Sequence, residues 1–157
     1  TEEYITEMGL LSSSAKVFPK VTLIMAIYGE GITRGKVALL GIEAATNQAC
    51  LAFFPIQILQ TEYLYRYLMT AYTYLRELSY DGSQKNLSAT LVGNIFVTIP
   101  SLSEQHAICA IMSSFEAYKE AQQTSLAKLA RLKAGLMQDL LSGRVSVAEL
   151  AKLARMC

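Results

Sequence analysis

Ser101–Leu141 reads SLSEQHAICAIMSSFEAYKEAQQTSLAKLARLKAGLMQDLL, and this stretch decides the architecture. Ser101 and Glu104 stand at the spacing of a capping box, just after Pro100. Each side chain can satisfy a backbone N–H that the first helical turn leaves open. Ile108, Ile111, Phe115 and Tyr118 then recur at helical steps, and Leu126, Leu129, Leu132, Leu136 and Leu140 continue the stripe. No proline or glycine interrupts before Gly135, and Gly143 marks the stop. A helix over 102–141 would be about 60 Å long at 1.5 Å per residue. That is far beyond the usual three turns, so the pattern predicts a coiled-coil arm that needs a partner surface. The stripe weakens across Lys119–Thr124, where a kink or polar seam is expected.

Upstream the period is different. Val21–Tyr28 is a compact apolar run, closed by the glycines of Gly29–Gly35, and Lys36–Leu40 is a second run. They predict two strands joined by a glycine-rich loop. Cys50–Phe54 is a third strand ended by Pro55, and Ile95–Ile99 a last one stopped by Pro100. The residues before Val21 read as loop with a short strand. Between these lie Tyr63, Leu64, Tyr67, Leu68, Ala71, Tyr74 and Leu75, one face of a helix over 61–78. Its tyrosines suit packing, or alternatively a stacking platform. Ser79–Asn86 is a polar loop around Gly82, and Val147–Arg155 a short terminal helix.

The expectation is an α+β fold: a β-rich recognition domain with packed helices over residues 1–100, a long C-terminal coiled-coil helix over 101–145, and a tail over 146–157. The 157 residues are 52% apolar and 17% charged, which excludes a disordered chain. The net charge of +1 divides into −1 over residues 1–100 and +2 over 101–157, so neither part is a polycation. Any nucleic-acid binding must come from local geometry or from partners that add charge. Cys50, Cys109 and Cys157 form no CxxC, and His106 is the one histidine. This predicts no disulfide framework and no zinc site, and it fits a reduced, cytoplasmic protein. The long charge-free runs, Ala44–Thr61 and Asn86–Ser103, carry proline and amide side chains, so no membrane span is expected. The start, Thr-Glu-Glu-Tyr, lacks a signal peptide and an initiator methionine, so the chain reads as a piece of a longer one.

No catalytic constellation is visible, and no cofactor or metal is expected. GEGITRGK fails as a P-loop, because Glu30 and Val37 stand where a glycine and a Ser or Thr are required. It reads as a tight turn, with Arg34 and Lys36 either solvated or able to approach a phosphate backbone. Asn47-Gln48 and Ser83-Gln84-Lys85-Asn86 are amide-rich clusters. Amide side chains pair bidentately with adenine, and lysine meets guanine or phosphate. The same residues also favour turns through local backbone bonds.

The order of motifs adds more. Gly35-Lys36-Val37-Ala38, Ala45-Thr46-Asn47-Gln48 and Gly82-Ser83-Gln84-Lys85-Asn86-Leu87 come first. Ile99-Pro100-Ser101-Leu102-Ser103-Glu104-Gln105 with Ile108 follows, then Leu132–Gln138 and Leu140–Val145. This set resembles the specificity subunit of type I restriction-modification systems, over about residues 35–145. The resemblance implies a target recognition domain followed by a spacer helix, in a subunit that has two such halves and no catalytic chemistry. It implies double-stranded DNA as ligand, a methyltransferase subunit docked beside the helix, and a restriction subunit reached through the complex. This chain carries one unit with a short front, which makes it a C-terminal fragment or a half-size subunit that pairs as a homodimer. The expected DNA contacts are Arg34, Lys36, Asn47, Gln48, Ser83, Gln84 and Lys85. The expected helix-packing residues are Ile108, Ile111, Phe115, Leu126, Leu129, Leu132, Leu136 and Leu140. The competing reading is a non-catalytic scaffold that docks proteins through its helix and does not bind DNA.

Overall fold

The computed structural model describes residues 4–29, 32–78, 86–148 and 151. In chain order these form α1 (Glu7–Leu11), β1 (Val17–Phe18), β2 (Leu23–Ala26), β3 (Val37–Leu39), β4 (Ala44–Ala45), β5 (Cys50–Phe53), α2 (Thr61–Thr70), α3 (Tyr72–Glu77), α4 (Ala89–Gly93) and α5 (Leu102–Leu141). The chain divides into two compact units, Thr1–Ala110 and Ile111–Cys157. The fold is α+β, with a long C-terminal helix.

In the first unit, β2 is the centre of a three-stranded antiparallel sheet in the order β3-β2-β5. Its alternation is strict: Leu23 and Met25 are fully buried, while Ile24 and Ala26 are half-buried on the other face. Leu23 and Met25 meet Leu68 of α2, Leu75 of α3, Leu87, and Val92 of α4 to make the core. β1 and β4 pair separately as a short antiparallel ribbon.

The helix expected over 61–78 is two helices. Ala71 has ψ near 4°, and the Thr70 hydroxyl donates to the Tyr67 carbonyl at 2.7 Å, which also accepts from the Ala71 N–H at 3.1 Å. A threonine hydroxyl competing for a helical carbonyl bends the helix there. Ile95–Ile99 is not a strand, contrary to its apolar composition. Its carbonyls accept from side chains of α2: the Tyr67 hydroxyl donates to Phe96 at 2.9 Å, and the Tyr63 hydroxyl to Thr98 at 2.9 Å. Two of the tyrosines thus act as cross-links, beyond packing. The residues before Val21 include α1, capped by the Thr6 hydroxyl on the Gly9 N–H at 3.0 Å. No α1 residue is buried, so no apolar period announces this helix.

The start of α5 is fastened within the first unit. The Ser101 hydroxyl accepts from the Glu104 N–H at 3.3 Å, the serine half of the expected capping box. Gln105 is fully buried and forms three hydrogen bonds. Its Oε1 accepts from the Gln60 N–H at 2.8 Å; its Nε2 donates to the carbonyls of Ile58 at 2.9 Å and Pro100 at 2.8 Å. One amide thereby joins the helix start to the loop before α2. One turn on, Cys109 is buried as well. Beyond Ala110 the helix is exposed along most of its length. It ends at Gly143, which takes φ 75°, while the Ser142, Gly143 and Val145 N–H groups reach back to carbonyls of the last turn.

Val21 has φ 70°, in the left-handed region where a β-branched residue is strained. It is half exposed, and occupies the third position of the Pro19–Thr22 turn, where the Thr22 N–H reaches the Pro19 carbonyl at 3.2 Å. That position favours glycine or asparagine. Val21→Asn should therefore stabilise the chain by about 0.5–1 kcal/mol, seen as a higher urea midpoint with unchanged slope.

Candidate nucleic-acid interface

Three loops meet at the exit end of β2. The Gly35 N–H donates to the Ala26 carbonyl at 2.8 Å, and the Ala26 N–H to the Lys36 carbonyl at 2.9 Å. The Ile27 N–H donates to the Ala49 carbonyl at 2.8 Å, and the Ile27 carbonyl accepts from the Leu87 N–H at 3.0 Å. Two consecutive residues of the central strand thus gather the β2–β3 turn, the β4–β5 loop and the segment that enters α4. Those are the stretches in which the sequence places Lys36, Asn47-Gln48 and Asn86. Backbone pairing over a long separation brings them together, which spacing along the chain could not reveal.

The side chains divide by role. Lys36 is exposed beside the turn. Arg34 departs from expectation: it is 5% exposed, and a guanidinium so covered is not placed to touch a phosphate. Its neighbour Gly35 is also buried, with φ 83°. A Cβ on Gly35 would meet the Leu75 Cβ at 3.4 Å, so the turn lies directly on α3 at Gly35, and Lys36 emerges just after it. Asn47 and Gln48 are both exposed. The Asn47 Oδ1 accepts from the Ala49 N–H at 3.1 Å, the local turn bond its residue type favours. Gln48 is presented from that turn. Ser83, Gln84 and Lys85 lie outside the described residues.

An open groove of about 930 Å³ adjoins this end. Its lining includes Thr46, Asn47 and Gln48 together with Ser13, Ser14 and Lys16. Lys16 carries no signal of its own in the sequence. The β1–β4 pairing brings it beside the start of the β4–β5 loop.

The remaining chemistry is inert. Among the described residues no cluster of His, Cys, Asp and Glu is arranged to hold a metal ion. Burial pushes the Cys50 thiol up. Burial, and secondarily Glu62, push the Cys109 thiol up against the opposing pull of Arg66. Both thiols are held protonated and are poor nucleophiles. Arg66 is occupied with Glu62 one turn away, at 2.8 Å. His106 is exposed. No helix among the described residues is long and apolar enough to cross a membrane.

In the second unit the expected packing residues stand in solvent. Leu126, Leu129 and Leu132 are 58–68% exposed, Leu136 and Leu140 37–43%, and Ile111 and Phe115 are exposed too. Ile108, on the first unit's stretch of α5, is the least exposed of the set at 36%.

Residues 3–131 match the type I restriction modification DNA specificity domain. The chain belongs to this family. The match spans nearly all of the first unit and most of α5. A type I restriction enzyme MjaIX specificity subunit from Methanocaldococcus jannaschii is 29% identical over 135 residues, covering 82% of this chain and 30% of that protein. The fold of the specificity domain is shared with the HsdS subunit from Thermoanaerobacter tengcongensis (TM-score 0.62, 19% identity, 82% of this chain and 31% of that one). It is shared equally with a chain from a structure of the type I R-M system concerned with complex assembly and conformational transition (TM-score 0.61, 23% identity, 82% and 32%). The specificity domain described here spans about a third of the length of these relatives.

Proposed function

We propose that this specificity domain reads one part of a split DNA target and contributes no catalytic group of its own. It directs a methyltransferase subunit, and through the complex a restriction subunit, to that target. The observation that carries the reading is the convergence on Ala26 and Ile27 of three loops bearing lysine and amide side chains. Loops held by a rigid sheet are where recognition groups are best placed. Lys36 meets a phosphate and Gln48 a base edge, and Ser83, Gln84 and Lys85 are further DNA contacts. Asn47 shapes the turn that presents Gln48. α5 is the spacer: its leucine stripe pairs with the same stripe of a second copy, antiparallel, so that two recognition units bind two half-sites.

The two DNA roles predict different signatures. Lys36→Ala should weaken binding to all duplexes alike and lower the salt slope by about one. Gln48→Ala should cost about 1–3 kcal/mol on the preferred sequence and little elsewhere. Both are read by anisotropy titrations of mixed-sequence duplex and of a sequence selected from it. Duplex binding that ignores salt, and selection that yields no preferred sequence, would refute the DNA reading and leave the protein-docking scaffold.

A further inference from the structure

The β2–β3 turn is latched from the helical side. The Tyr72 hydroxyl, at the start of α3, donates to the Ile32 carbonyl at 2.6 Å. One turn on, the Arg76 Nη1 donates to the Tyr72 oxygen at 3.0 Å, and its guanidinium carbon lies 5.6 Å from the Tyr72 ring centroid. A cation that donates to a phenol oxygen polarises the O–H and strengthens the bond the phenol itself donates. Gly35 lies against the same helix, its missing Cβ 3.7 Å from both the Arg76 Cγ and the Tyr72 Cδ2. Lys36 follows immediately, and its N–H closes on the Thr33 carbonyl at 3.0 Å. The path from Arg76 through Tyr72 to Ile32–Lys36 is therefore continuous.

We propose that Tyr72 and Arg76 are positioning residues for DNA recognition: they fix the turn so that Lys36 is presented in one place. This rests on the assignment of Lys36 to a phosphate contact. Side chains that must find a fixed geometry on binding lose entropy, and a latch set before binding reduces that loss. The ring alone supplies the packing and the cation–π contact. The hydroxyl supplies the tether, so it can be removed separately.

The test is a double-mutant cycle on this chain, with labelled mixed-sequence duplex at low salt as the probe. Tyr72→Phe should weaken binding about fivefold, because the turn must then be ordered on binding, with the salt slope unchanged because no phosphate contact is lost. Its urea midpoint should stay near that of the parent. In the Lys36→Ala background, Tyr72→Phe should have no further effect. An unchanged affinity for Tyr72→Phe overturns the latch, as does a loss that persists in full without Lys36. If Lys36→Ala itself binds as the parent does, the phosphate assignment fails, and the latch fails with it. The Lys36→Ala arm alone therefore separates the two failures.

Discussion

Replacing Gln105 by leucine should lower the unfolding free energy by about 2–4 kcal/mol. Leucine fills a similar volume, so the loss isolates the hydrogen bonds. The Gln60 N–H loses its acceptor, and the Ile58 and Pro100 carbonyls lose their donor. Unpaired groups at a covered site keep the full cost of leaving water. Against a total stability of about 5–15 kcal/mol, this shifts a urea midpoint plainly. Gln105→Glu sharpens the test. A carboxylate keeps the acceptor for the Gln60 N–H but turns a second oxygen toward two carbonyls. Burial and those carbonyls both disfavour the charge, so the folded-state pKa of the introduced acid lies above its unfolded value. The neutral acid regains one donor. The variant should be most stable below the unfolded pKa and lose stability as pH rises through the folded pKa. Urea midpoints for parent and variant at acidic and neutral pH would show this. A Gln105→Leu midpoint equal to the parent's would mean that the amide bonds are exchanged for water without loss.

The second large effect concerns association. Leu129→Asp with Leu136→Asp should dissociate the proposed dimer of this chain into monomers, read by sedimentation. The leucines stand on one face of α5 at three- and four-residue steps, 37–68% exposed. Burying a leucine is worth up to about 1.5–3 kcal/mol, and a carboxylate at an apolar seam reverses the sign. In the dissociated helix the same aspartates cost only about 0.5–0.7 kcal/mol each in propensity. The effect therefore falls on association and spares the first unit, whose near-ultraviolet dichroism should be unchanged. A parent chain that sediments as a monomer at every concentration would exclude the homodimer, and would leave the leucine face to a different partner.

How far the residues speak by themselves differs from element to element. The Ser101–Leu141 pattern determined α5 to within a residue or two, because a helix is a local object: its bonds run four residues apart, and its caps and stop lie within the same segment. β2, β3 and β5 were legible for a similar reason, since apolar runs bounded by glycine and proline have few alternatives. The motif order likewise determined the family.

Tertiary structure alone decided the rest. Ile95–Ile99 has the composition of a strand, but it pairs with no strand among the described residues. Its carbonyls go to Tyr63 and Tyr67, some thirty residues away in sequence. Arg34 and Lys36 look equivalent on paper, yet the left-handed Gly35 between them packs on α3, and one cation is buried while the other is exposed. Gln105 is an unremarkable glutamine in an amphipathic helix until the loop before α2 folds over it. Lys36, Asn47 and Asn86 share no local pattern. Their loops come to one end of β2 because hydrogen bonds to Ala26 and Ile27 close over long separations, and such pairing is settled by the sheet as a whole, not by any segment within it.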